Sequence, residues 1–388
     1  MSLREVSWQA VVARRMARHQ LAAPATGDPA AGETADVVRA MCGAHAQVLS
    51  AAEVSVALRI EGATRVDVQR ALWEDRSLVK TLGPRGTVHL LPAVDLASWV
   101  GALSALPTTP GAVPEYMRMT PEQIDQVIAA IGDALAENDL TVDELTDEVV
   151  ARTGSWAGDL VMPAFQTYWP RWRQLIPAAA NAGVLCYGAN RGRNVTYSNP
   201  HRFTPFKPES AEIALSVVLK QYLHSYGPAT PQQFARWFNV TPTFGARLFT
   251  SLADELEEVS LDGKPAWLLR GDTDLPDEPA RGVRLLPYFD AYGVGSHPRE
   301  MVFPGKAWDR ALARGQAGNF PLLLIDGIVG GVWHQRRSGR KVQVTVEPLG
   351  KLNQSRRRAL DDEVSRLGEI LDAKPDLTIG EVTVGAHA

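Results

Sequence analysis

The chain has 388 residues, 45% apolar and 22% charged, so it is long enough for two or three modules with ample cores, and fibrous and disordered classes are excluded. No apolar run approaches the roughly 18 residues a membrane span needs, and residues 1–9 lack the apolar stretch of a signal peptide, so a cytoplasmic protein without a membrane partner is expected. A formal net charge of −4 argues against indiscriminate binding to nucleic acid, while leaving room for a local basic surface.

In chain order, the Ala-rich, Pro-containing residues 22–32 read as a mobile loop. Val37, Val38, Met41 and Ala44 then recur at three- and four-residue steps, the spacing of a helix that buries one face. His45 and Gln47 fall at its C-terminal end, about 200° apart on an ideal helix. They converge on one small target only if the helix ends or bends there, and Gly43 supplies the backbone freedom for that. Residues 68–73 as a helix and 87–91 as a strand complete a unit of helices followed by a β-wing.

That unit recurs twice. Thr120-Pro121-Glu122-Gln123 is a capping box, followed by Ile124, Val127, Ile128, Ile131 and Leu135 on one helical face. Thr141-Val142-Asp143-Glu144 opens a second helix, residues 163–181 are predicted as a third, and residues 184–187 and 195–197 as a hairpin. In the next copy, Ile213, Val217, Val218 and Tyr222 mark a helix, and Thr230-Pro231-Gln232-Gln233 caps another. A helix over 244–256 and a hairpin turning at Asp262-Gly263 complete it. Beyond an Asp- and Pro-rich linker at 271–282, strands at 283–286, 322–325, 328–334 and 341–346 predict an antiparallel sheet closed by a helix over 354–371.

The expected fold class is therefore mainly α with β wings (α+β), tandem winged-helix modules followed by a small C-terminal antiparallel β-sheet region. The expected divisions are 1–110, carrying His45 and Gln47, then 111–205, 206–272 and 273–388. Two cysteines, Cys42 and Cys186, cannot form a disulfide framework. Residues 42–45 hold too few ligands for zinc, so neither metal nor cofactor is expected. Two turns carry exposed cations suited to phosphates: Arg191 with Arg193, and Arg336, Arg337, Arg340 and Lys341 around Ser338-Gly339. The acidic residues 137–148 are expected to face away.

The stretch 43–47 (Gly-Ala-His-Ala-Gln) and the segment 82–92, which contains Arg85 and His89, together with 182–188, 226–231 and 286–292, resemble the winged-helix family of bacterial DNA glycosylases typified by the azinomycin-resistance enzyme. The resemblance spans nearly the whole chain. In that family a pair of glutamines separated by a small or apolar residue is credited with catalysis. Here His45 stands at the first Gln and Gln47 keeps the second, a version similar to the branch linked to self-resistance against trioxacarcin-type DNA-alkylating antibiotics. Unlike Gln, a histidine can accept the proton of a water as well as orient it.

The resemblance implies a monofunctional DNA glycosylase that removes bulky alkylated guanines from duplex DNA, leaves the lesion in the duplex as it works along the groove, and acts as a monomer. It also places Asp290, Tyr292, His297 and Arg299 in a loop close to the DNA. The segment around His45 offers no lysine for a Schiff base, and Lys80 lies in another element, which favours water as the nucleophile. Two rivals are a winged-helix regulator that only reads DNA and a protein that sequesters the drug. Against the regulator, Tyr168, Trp169, Trp172, Leu175 and Ile176 make the predicted third helix too apolar to enter a groove.

Overall fold

The reciprocal caps expected at Thr120 and Thr141 both form. Gln123 N donates to Thr120 Oγ1 at 3.2 Å and Thr120 N to Gln123 Oε1 at 2.9 Å, starting the helix Pro121–Ala134. Thr141 and Glu144 do the same for Val142–Thr153. The computed structural model describes residues 3–27, 32–107 and 113–386, so residues 28–31 of the expected mobile loop lie outside it. Mixed helix and strand form two compact units, residues 75–218 and residues 1–74 with 219–388. No helix among the described residues is long and apolar enough to cross a membrane.

In the unit of residues 75–218, Val127, Ile131, Leu135, Leu145, Val149 and Trp172 share one core. The strands Leu78–Leu82 and Val88–Pro92 pair antiparallel, as do Cys186–Tyr187 and Thr196–Ser198. The helix expected over 163–181 is largely absent. Leu160–Pro163 and Tyr168–Pro170 form a small hairpin, Arg171–Leu175 is a 3-10 turn, and only Ile176–Asn181 is α-helical. Pro170 accounts for this: it lacks an N–H and drives the residue before it out of the α region. Pro177, within the first helical turn, is where a proline is tolerated. Tyr168 and Trp169 are exposed on the hairpin, so the apolar third helix that counted against a regulator does not exist.

The helix Ala211–Tyr226 crosses the division at 218/219, and in the other unit the helices Pro231–Phe238 and Pro242–Ser251 precede the hairpin Leu256–Leu261/Lys264–Leu269. Its turn residues Asp262 and Gly263 both have positive φ, 47° and 78°, the pairing a two-residue hairpin turn requires. Arg4–Val6 adds a parallel strand to that hairpin. The C-terminal sheet runs Val283–Leu286, Leu322–Ile325, Ile328–Ser338, Lys341–Pro348, Lys374–Ile379. The first four strands are antiparallel as expected, but the fifth pairs parallel with Lys341–Pro348, so the sheet is mixed. The crossover helix Gln354–Ile370 makes that return possible, since a parallel neighbour needs a long connection. Val12, Met16, Leu286, Tyr292, Phe303, Leu322 and Val332 lie in the core behind the sheet.

Candidate active site

The helix that carries Val37 and Val38 stops at Ala40. Met41, Cys42 and Gly43 donate their amides back to Val37, Arg39 and Val38, and Cys42 and Gly43 take φ of 55° and 93°. Two successive left-handed residues turn the chain out of the helix. Ala44–His45 is then a short strand, and the next helix, Leu49–Ala57, begins after Val48. Side chains two apart in extended backbone share a face. Burial alternates accordingly: Ala44 and Ala46 are buried, His45 is half-buried and Gln47 is exposed. The helical geometry behind the 200° separation is therefore absent: the strand covers Ala44–His45, and Gln47 lies in the bend that follows it.

The turn is held from below by the end of Ala211–Tyr226. Cys42 Sγ donates to Ser225 Oγ at 3.3 Å, Ser225 Oγ donates to Ala40 O at 2.7 Å, and Tyr226 Oη donates to Ala291 O at 3.0 Å. Over His45 lies the ring of Phe289, stacked with centroids 4.7 Å apart and planes 20° from parallel. Phe289 has φ 56° and donates its amide to Gly318 O at 3.0 Å.

Asp290, next to it, is fully buried. Arg59 grips it with a two-point fork at 2.8 and 2.9 Å, and Ser55 Oγ donates at 2.5 Å. Burial alone would push the Asp290 carboxyl up, but Arg59, Ser55 and the Tyr292 amide outweigh it and hold the group below its ordinary value. His19 is buried beside this pair, edge-on to Tyr226 and Tyr292, with no hydrogen-bond partner on either ring nitrogen. Burial, reinforced by the charge of Arg59, pushes its imidazole down to about 3.

Of the residues expected to contact DNA, Arg336, Arg337, Arg340 and Lys341 are all exposed at the tip of the hairpin Ile328–Ser338/Lys341–Pro348. Ser338 pairs with Lys341, so the turn is Gly339-Arg340, with φ 60° at Gly339. Arg191 and Arg193 are exposed as well, but Arg191 is ion-paired with Glu144, and its hydrogen bond holds that carboxyl down at about 2.

The expectation for the 290–299 loop needs correction at Asp290, Tyr292 and His297. Asp290 is sealed against Arg59, and Tyr292 is buried with its hydroxyl on Gly327 O at 2.8 Å. His297 is buried, and its carbonyl accepts from Arg15 at 2.6 Å. Arg299 donates to the carbonyls of Gly293 and Val294 at 2.5 and 2.9 Å. Asp290, Tyr292 and His297 brace the fold, because a buried group cannot reach a duplex, whereas Arg299 is only half-buried. Sequence reasoning passed over Phe289 and Arg59. Phe289 was visible only as part of a motif, and nothing in periodicity marks an arginine whose partner is 231 residues away.

A family model described as DNA glycosylase AlkZ-like matches residues 38–370. The chain is 34% identical over 341 residues to the interstrand DNA cross-link repair glycosylase of Streptomyces sahachiroi, covering 85% of this chain and 88% of that one. Its fold is similar to the solved structure of Streptomyces sahachiroi DNA glycosylase AlkZ, with a TM-score of 0.81 and 29% identity over 97% of this chain and 100% of the other. The matched region contains His45, Gln47, Arg59, Phe289 and the basic hairpin.

Proposed function

The chain belongs to the AlkZ-like DNA glycosylases, enzymes that act on N-glycosyl bonds, and from that premise we propose that it hydrolyses the bond between deoxyribose and bulky N7-alkylated guanine in duplex DNA, with His45 and Gln47 as its catalytic pair. The observation that supports this reading is that the helix ends at Ala40 and leaves a half-buried His45, stacked against Phe289, and an exposed Gln47 two residues apart.

Alkylation at ring nitrogen 7 leaves the purine cationic. When the bond from the anomeric carbon to the base nitrogen breaks, its electron pair neutralises the ring, so the base departs without a general acid. Positive charge develops on the sugar as in glycoside hydrolysis, and a water attacks the anomeric carbon. His45 takes the water's proton and Gln47 holds the water through its amide. General-base assistance is worth about 10²–10⁴-fold, and positioning supplies the rest. The residues between 33 and 74 include no lysine, so the water route leaves an intact abasic site.

We read the successive helices and hairpins as winged-helix modules, and the hairpin tip with Arg336, Arg337, Arg340 and Lys341 as the phosphate contact that holds the protein on DNA without reading sequence. A surface that approaches along the groove suits an adduct too large for a flipped-base pocket. Protection of a producer against its own alkylating antibiotic is the biological role that fits this substrate, with the enzyme acting as a cytoplasmic monomer. The reading is tested by incubating the protein with duplexes carrying guanine adducts of increasing size, in the presence of a chelator, and cleaving with alkali. Abasic sites at bulky adducts are expected. Binding without abasic sites at any adduct would leave the chain a DNA-binding protein only.

A further inference from the structure

We propose that Phe289 is a positioning residue for the reaction, setting the plane of the His45 imidazole, and that the buried Asp290–Arg59 pair exists to hold Phe289 there. The inference rests on His45 being the base, and deepens that reading by naming what aims it. An imidazole on a short strand edge turns about two torsions, and a base is useful only when its lone pair stays on the water. The Phe289 ring, 4.7 Å from the imidazole and 20° from coplanar, covers one of its faces.

The seat of that ring is built from parts distant in sequence. Phe289 sits at φ 56°, a conformation that a bulky residue keeps only when its surroundings enforce it. Gly318 accepts its amide, and any Cβ at Gly318 would stand 2.7 Å from Phe289 Cδ1, so that glycine is the space the ring occupies.

On the other side, Asp290 is anchored by the Arg59 fork, by Ser55 Oγ and by the Tyr292 amide at 3.0 Å. Ser55 lies in the helix that begins after Gln47, and Arg59 follows its end. One buried ion pair therefore ties the segment bearing the stacked ring to the segment bearing the imidazole. A buried pair of this kind is weak as a stabiliser, since desolvation offsets the attraction, and its better-attested use is to specify one arrangement.

The test measures single-turnover excision, DNA affinity and melting temperature for Phe289→Leu, Phe289→Tyr and Gly318→Ala, with His45→Ala as reference. The His45 ring protons are followed by NMR. Phe289→Leu is expected to slow excision by roughly 10- to 100-fold at unchanged DNA affinity, the scale of a misaimed catalytic group. Phe289→Tyr, which keeps the stack, should restore most of the rate. The ring-current shift of the His45 protons should vanish in the leucine variant and persist in the tyrosine variant. Gly318→Ala crowds the ring without removing it but also strains a backbone at φ 102°, so its rate is read per folded fraction and should reproduce the slow phenotype, which keeps the question answerable if the leucine variant folds poorly. A leucine variant as fast as the unmodified enzyme, while His45→Ala is slow, overturns the role of Phe289 and leaves the base intact. If His45→Ala is itself fast, the base reading fails and this inference fails with it.

Discussion

His45 and Gln47 are the residues on which the chemistry is staked, and their contributions are separable from folding because neither side chain is part of the buried core. His45→Ala and Gln47→Ala should each slow single-turnover excision by about 10²-fold or more, with DNA affinity and melting temperature nearly unchanged. His45→Gln rebuilds the paired-glutamine form of the motif. It should keep part of the activity with a flatter pH profile, because an amide has no proton to exchange between pH 5 and 8. Loss of stability and DNA binding together, with a normal rate in the folded fraction, would instead make both residues structural. Their identity was legible in the sequence because the motif is local. Their geometry was legible only as a condition, that the helix must end, and Cys42 and Gly43 meet it by turning left-handed in succession.

Among the elements, the hairpin Ile328–Ser338/Lys341–Pro348 carries the proposed phosphate contact. Replacing Arg336, Arg337 and Arg340 with alanine should weaken binding equally across sequences and lower the slope of log affinity against log salt by up to about one unit per lost phosphate contact. An unchanged slope would show that the tip faces bulk solvent. Hairpins and caps of this kind were readable in advance, since Thr120, Thr141, Thr230 and the Asp262-Gly263 turn act over three or four residues. Over 163–181 the apolar residues suggest a helix, but Pro163 and Pro170 punctuate the stretch more strongly. Periodicity is a statement about faces, and it yields where a backbone donor is missing.

At the scale of the whole molecule, residues 1–74 share a unit with residues 219–388, so the segment expected to span 1–110 is divided at 74/75. Arg14, Arg18 and His224 converge on Asp272 at the start of the linker. Burial would raise that carboxyl, but Arg14 and His224 hold it below its ordinary value. His19 lies deeper and titrates the other way round from a paired histidine. Its folded value of about 3 lies below the unfolded value of about 6.5, so below pH 6.5 the unfolded chain binds the extra proton. Its contribution is therefore complete above pH 6.5 and is lost as pH falls towards 3, at no more than about 1.4 kcal/mol per pH unit. His19→Leu should lose less stability than the unmodified protein between pH 7 and pH 5, measured by urea midpoints. The loss that remains reports His224 and His334, which burial also pushes down, offset by Glu363, which burial pushes up. Identical losses would mean that His19 is solvated in solution.

The sequence by itself determined the family, the caps and turns that start and stop most elements, the hairpin that carries the exposed cations, and the residue types of the candidate catalytic pair. All of these depend on neighbours within a few positions or on motifs that survive as strings. The tertiary structure alone decided that Asp290 faces Arg59 and not DNA, that Phe289 lies on His45, and that Lys374–Ile379 joins the sheet in parallel. Each of these is a contact between segments far apart in the chain. Nothing in local spacing distinguishes an arginine that will meet solvent from one that will be buried against a carboxylate, because the choice is made only when both segments pack.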